Sequence, residues 1–192
     1  MDSLFGNILA AALVNNLALV QLLGASSLLT FSTSLRSASE LGLISFLILT
    51  LSGIVNLSAY HLVLEPLQLE ALSLVCFIML STGTVSMLMP ILSQRYPLTA
   101  RRQRLAVVLL SSNSAVIGLS LRNTQSLGSA GELLATTLGA AAGFAVTLLA
   151  FTALRQRLDS CDAPACFRHG PLYMISAGIA AMACWVFRAL FE

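Results

Sequence analysis

Six stretches of this chain run for about twenty residues with almost no ionisable side chain inside them: Leu4 to Leu23, Leu41 to Leu62, Ala71 to Leu92, Leu105 to Leu121, Leu133 to Leu154 and Pro171 to Leu190. A helix of roughly that length crosses the hydrocarbon core of a bilayer. The chain as a whole agrees: 57% of its 192 residues are hydrophobic, only 9% are charged, and the mean hydropathy is +0.89. Soluble domains carry about a quarter charged residues. The expected fold is therefore an all-α integral membrane protein of six transmembrane helices, with the lipid bilayer as its solvent. The N-terminus has neither a positive leader region nor a small-residue cleavage site, so the first run is expected to stay as a helix.

The connections "TFSTSLRSASE", "VLEPLQLE", "SQRYPLTARRQR", "RNTQSLGSAGE" and "RQRLDSCDAPACFRHG" carry the Pro, Gly, Ser and charge of turns, and each is too short to be a domain. All ten basic residues are arginines. Loops one, three and five hold eight of them, namely Arg36, Arg95, Arg101, Arg102, Arg104, Arg155, Arg157 and Arg168. The remaining parts hold two, Arg122 and Arg188. Positive residues are retained on the cytoplasmic side, so the odd loops are expected inside and both termini in the periplasm. No basic run resembles a nucleic-acid surface, and four scattered cysteines, Cys76, Cys161, Cys166 and Cys184, make no disulfide framework.

Six spans divide into halves of three, residues 1–93 and 94–192, and an odd number per half requires any internal repeat to be inverted across the membrane. "NNLALVQLLGASSL" in the first half and "SNSAVIGLSL" in the second both run from Asn through small and apolar residues to Gly. These two stretches also hold the densest polar groups at membrane depth: Asn15, Asn16, Gly24, Ser26 and Ser27, then Ser112, Asn113, Ser114 and Gly118. The plainer reading of intramembrane amides is helix-to-helix glue, each worth on the order of 1 kcal/mol or less. The sharper reading is that such clusters satisfy backbone groups freed by helices broken near the midplane, where sites in inverted repeats are built. No Asp, Glu or Lys falls at a span centre, so an intramembrane carboxylate relay is not expected.

Other features are weaker signals. Cys161, Cys166 and His169 form C-x4-C-x2-H in the fifth loop, a loose spacing that reads first as free thiols and a surface imidazole. His61 sits at an expected interface, and Met79, Met87, Met89 and Trp185 read as lipid-facing or packing residues. Gly139 and Gly143, in "GAAAG", form a small-xxx-small face that predicts close helix packing, within the subunit or against a partner.

Three stretches together, "LVNNLALVQLLG", "NSAVIGLSLRN" and "ALRQRLDSCDAPACFRHGPLYMISAG", resemble the RnfA/RsxA subunits of bacterial ion-translocating electron transport complexes and the related NqrE subunit of the sodium-pumping quinone reductase. The resemblance runs along nearly the whole chain and is tightest in the first helix, the fourth helix and the fifth loop. It implies two inverted three-helix repeats, an inner-membrane location, an RnfE-like homologous partner of opposite orientation, and further Rnf-type subunits. It also implies a [2Fe-2S] cluster at mid-membrane, with two cysteines from each subunit, in an electron path coupled to Na+ or H+ translocation. Such a chain is a non-autonomous part of a translocase.

The cluster positions depart from the family. Leu-Gly-x-Cys-Pro is replaced by Leu23, Gly24, Ala25, Ser26 and Ser27, and Thr-Thr-Asn-Cys-Ala-Val by Ser111, Ser112, Asn113, Ser114, Ala115 and Val116. Ser26 and Ser114 stand where the ligand cysteines stand, with Asn15, Asn16, Gly24, Asn113 and Gly118 as the supporting positions. The family's Pro before the fourth-helix cysteine and its acidic residue late in the third span are also missing, from "LAVVLLSS" and "SMLMPIL". Two other readings stand beside that of a redox component. One is a small inverted-repeat ion or solute transporter using Ser26, Asn113 and Ser114, and the other is a structural or assembly protein.

Overall fold

The computed structural model describes residues 2–14, 16, 23, 35–95, 113–125, 129–161, 164, 166–168 and 170–191. Helix α1, Asp2–Leu9, continues as a π-helical turn over Ala10–Val14. Helix α2 spans Leu35–Ala59 and likewise ends in a π-helical turn, Tyr60–Leu64. A 3-10 turn, Glu70–Leu72, leads into α3, Ser73–Arg95. Helix α4, Ser114–Gln125, is short, α5 runs for 30 residues over Ala130–Asp159, and α6 covers Gly170–Phe191. Among the described residues, three helical segments are long and apolar enough to cross a membrane: Ala38–Leu64, Ser73–Leu92 and Gly131–Asp159. Gly170–Val186 is a shorter apolar helix.

Three of the boundaries have a visible local cause. Ser129 caps α5 through a reciprocal box in which its hydroxyl accepts from the Glu132 amide while the Glu132 carboxylate accepts from the Ser129 amide at 3.0 Å. Asn113 caps α4: its side-chain oxygen accepts from the Ala115 amide at 3.0 Å and its carbonyl from the Val116 amide at 3.1 Å. At the turn after α2, Gln68 takes a positive φ of 54° and closes a reversal tied by Leu69 N–H to Leu64 O at 3.0 Å. The second helix outruns its apolar core at both ends, and α5 carries Arg155, Arg157 and Asp159 as a continuation of the helix rather than as loop.

Helices α2 and α5 form the central pair, packed along each other more extensively than any other two. Helix α1 lies on α5, α4 on α2, α3 on α2 and α6 on α5. Exchanging the first three helices for the last three maps each of these contacts onto another. The core between them is Leu41, Ile44, Ile48 and Leu49 of α2, Val85 and Met89 of α3, Ala115, Val116 and Leu119 of α4, and Ala140, Ala141, Phe144 and Leu148 of α5. On α2 the spacing of Leu41, Ile44, Ile48, Ser52 and Asn56 traces one helical face turned inward. The outer faces stay apolar: Met79, Met87, Ile91, Ile179, Met182 and Trp185 are all more than half exposed, as lipid permits. Met89 is the exception among the methionines singled out by sequence, being 1% exposed in the core.

Gly139 and Gly143 answer the question their spacing raised. A Cβ on either would strike the α1 backbone, at Ile8 and at Ala12 respectively. The small-residue face therefore works inside the subunit, letting the first helix lie directly on α5.

Candidate functional site

Polar side chains meet in the interior at two places, and they differ in how completely they are satisfied. At the first, Asn16 follows the π-helical turn that ends α1. Its two amide N–H groups are shared among three acceptors, Ala12 O at 2.9 Å, Gly143 O at 3.1 Å and Thr147 Oγ1 at 2.8 Å. A wide turn leaves carbonyls without their usual helical donors, and this amide supplies one to Ala12 while tying α1 to α5.

The second place is the junction of α2, α3, α4 and α5. Asn56, 0% exposed, donates to Ser81 Oγ of α3 at 3.0 Å and to Ser120 Oγ of α4 at 2.7 Å. Asn123, one turn beyond Ser120, is 1% exposed and donates to Thr137 Oγ1 of α5 at 2.9 Å. Gly53, one turn before Asn56, closes the ring: a Cβ there would come within 2.6 Å of the Thr137 methyl. Among the described residues, every buried polar side chain is a neutral amide or hydroxyl.

The N-terminus of α4 is the third element. Ser114 is its first helical residue and is exposed, while Asn113 beside it is 1% exposed. One turn on, a Cβ at Gly118 would overlap the side chain of Leu23. The two Asn-to-Gly stretches singled out by sequence are thus brought against each other, Leu23 of the first resting on Gly118 of the second. Asn16 lies apart from this contact, on α5. Asn15, Gly24 and Ser26 lie outside the described residues.

In the fifth loop Cys161 and Cys166 are exposed free thiols, and Cys161 Sγ contacts Arg157 O at 3.4 Å. His169 lies outside the described residues. The loop is closed by Tyr173, which donates its hydroxyl to Asp159 while the Arg155 guanidinium sits 4.4 Å from its ring centroid. His61 is exposed and pairs with Glu65 at 2.7 Å.

The residues that sequence reasoning passed over are Ser81, Ser120, Asn123 and Thr137. Asn123 was hidden by Arg122: a charged residue next to Asn, Thr and Gln reads as the start of a loop, yet α4 runs on to Gln125. Asn56 lies inside the second apolar run, and its partners lie on other helices.

The model of the Rnf-Nqr subunit family, described as membrane proteins, matches residues 4–191. This chain belongs to the Rnf-Nqr family. Three relatives, each named as the first-lettered component of an ion-translocating oxidoreductase complex, are similar along nearly their whole length. That of Hahella chejuensis is 32% identical over 183 residues, covering 95% of both chains. That of Syntrophotalea carbinolica is 33% identical over 191 residues, covering 99% of this chain and 98% of the relative. That of Pseudomonas paraeruginosa is 35% identical over 185 residues, covering 95% of both. As an Rnf-Nqr protein with several apolar helices, the chain is a multi-pass membrane protein.

The iron-sulfur cluster suggested by the resemblance does not suit the donors in this chain. Cluster irons are held by thiolates, with imidazole the common substitute. Ser114 offers an alcohol, whose proton is far less acidic than that of a thiol near 8.5. In a low-dielectric interior the alkoxide is harder still to form. Among the described cysteines, Cys76 and Cys184 are half-buried on α3 and α6, away from the α4 N-terminus in sequence and element, and Cys161 and Cys166 belong to the fifth loop.

Proposed function

We propose that this chain is a membrane subunit of an Rnf-type ion-translocating oxidoreductase complex, built of six spans in two inverted halves, 1–93 and 94–192, and paired with an RnfE-like homologue of opposite orientation. The observation that carries the reading is the contact of Leu23 with Gly118, with Ser114 exposed one turn away. It draws together the two stretches that correspond to one another in the halves and leaves the family's ligand position facing out of the subunit, where a second subunit has access. The exchange of helix contacts between halves supports the inverted repeat, and the α1 and α4 ends next to Asn16 and Asn113 support broken helices. The arginine distribution, eight against two, supports a bacterial inner-membrane protein with both termini periplasmic.

In this complex the chain serves as scaffold and ion-translocating partner, contributing no thiolate at Ser26 or Ser114. The test is to purify the complex through this chain and measure protein composition, iron and acid-labile sulfide, then repeat with Ser114→Ala and Ser26→Ala. A homologous multi-pass partner should co-purify, and neither substitution should change iron or sulfide. A chain that purifies alone and carries ions or solutes by itself in liposomes would replace this reading with that of an autonomous transporter. Loss of cluster iron on either substitution would restore ligation by serine.

A further inference from the structure

The hydrogen atoms at the α2–α4–α5 junction are fixed by the backbone. Ser81 donates its hydroxyl proton to Phe77 O at 2.6 Å, Ser120 to Val116 O at 2.9 Å and Thr137 to Leu133 O at 2.8 Å. Each hydroxyl therefore has only lone pairs left for its neighbour across the interface. That compels Asn56 and Asn123 to turn their NH2 groups toward the hydroxyls and their carbonyl oxygens away. Both Oδ1 atoms are buried and have no hydrogen-bond partner among the described residues, and the same holds for Ser52 Oγ. Ser52 lies one turn before Asn56 on the same face of α2, and is 0% exposed.

A buried carbonyl oxygen with no donor costs about 1–3 kcal/mol. Here two occur on side chains that meet one junction, with the Ser52 hydroxyl one helical turn from Asn56. Flipping either amide would not remove the deficit, because it would set an oxygen against a hydroxyl whose proton is already committed. The two amides thus keep a pair of buried carbonyl oxygens with free lone pairs, and Ser52 adds a hydroxyl whose proton is free to turn away from a cation. No buried carboxylate accompanies them among the described residues. Neutral oxygens without a carboxylate suit a singly charged cation, whereas divalent ions are held with carboxylates.

We propose that the α2–α4–α5 junction is a binding site for a monovalent alkali cation, held by Asn56 Oδ1, Asn123 Oδ1 and Ser52 Oγ. It stands on these residues alone and not on the redox reading above. Sodium-dependent order in α4 would follow from it, because α4 supplies Ser120 and Asn123 and is itself only 12 residues long.

The test is hydrogen exchange, read by mass spectrometry on peptides covering residues 114–125 and 52–57, in the complex purified through this chain. NaCl, KCl and LiCl are each compared with choline chloride at matched ionic strength. At least one alkali cation should slow exchange saturably, by about tenfold at ten times its half-saturating concentration. Asn56→Leu and Asn123→Leu should abolish the response, and Ser58→Ala, an exposed residue on the same helix, should keep it. Where either Leu variant fails to assemble, Ser52→Ala carries the test, since it deletes an atom with no partner: the half-saturating concentration should rise at least threefold. Equal exchange in all four salts, or a response unchanged in every variant, overturns the proposal and assigns the amide oxygens to water. Loss of the partner subunit or of redox activity, with the cation response intact, would count against the proposed function and not against this site.

Discussion

The α1–α5 crossing and the α2–α4–α5 junction are both glycine notches with a buried asparagine, and they solve opposite problems. At the crossing, Gly139 and Gly143 admit the backbone of α1, and Asn16 finds three acceptors. At the junction, Gly53 admits the Thr137 side chain, yet Asn56 and Asn123 each keep a carbonyl oxygen without a donor among the described residues. A satisfied amide is accounted for by packing alone. An unsatisfied one, in a protein that already pays to bury it, asks for a ligand. The same residue type on neighbouring helices therefore carries different meanings, and only the partners distinguish them.

The contrast can be broken most forcefully at the crossing. Gly143→Val meets backbone rather than a movable side chain, and should destabilise the subunit by about 3 kcal/mol, the upper end of ordinary overpacking. Unfolding in mixed micelles, followed by helical circular dichroism, measures it. If the cost is under about 1 kcal/mol, α1 is not seated on α5 as described.

A more discriminating comparison sets Asn16→Leu against Asn56→Leu in cation-free choline buffer. The first removes the donor shared by Ala12, Gly143 and Thr147 and should cost about 1.5 kcal/mol. The second removes two N–H bonds to Ser81 and Ser120 but also a buried oxygen with no donor among the described residues, and it leaves both hydroxyls bonded to their own helices; the changes offset, so it should cost about 0.5 kcal/mol. Equal losses would erase the distinction between the two places. Tyr173→Phe, which removes the hydroxyl bonded to Asp159 but keeps the ring under Arg155, should cost about 1 kcal/mol and speed proteolysis of the fifth loop. The smallest effect is expected from Glu65→Gln, because the His61–Glu65 pair is exposed and such pairs contribute about 0–1 kcal/mol. Its unfolding curve should overlay that of the parent chain.

Hydropathy made the apolar helices readable, since a run such as Ala71 to Leu92 has no other stable form in lipid, and α3 occupies it closely. The small-residue spacing at Gly139 and Gly143 announced close packing, but the identity of the helix received there is a tertiary fact. The polar run from Ser111 to Ser114 contains a helix start, for Asn113 caps α4. What stayed hidden was the junction around Asn56. Its members are single polar residues on four helices, separated by up to 81 positions from Asn56 to Thr137, and none has a motif. Asn123 was further disguised by Arg122, because charge beside an amide imitates the end of a span.

The bond from Asn16 to Gly143 spans 127 residues of chain. At a ribosomal rate of about 5–20 residues per second, on the order of ten seconds separate the synthesis of the two ends. Throughout that interval the first helix has been made, but the groove that receives it has not. Its amide and widened last turn must be sheltered meanwhile by the insertion machinery, by water at the interface or by a neighbouring protein. The N-terminal helix is made first and can be seated only after α5 has entered the membrane, so a chain truncated before Gly143 would leave the membrane with a helix that has no berth.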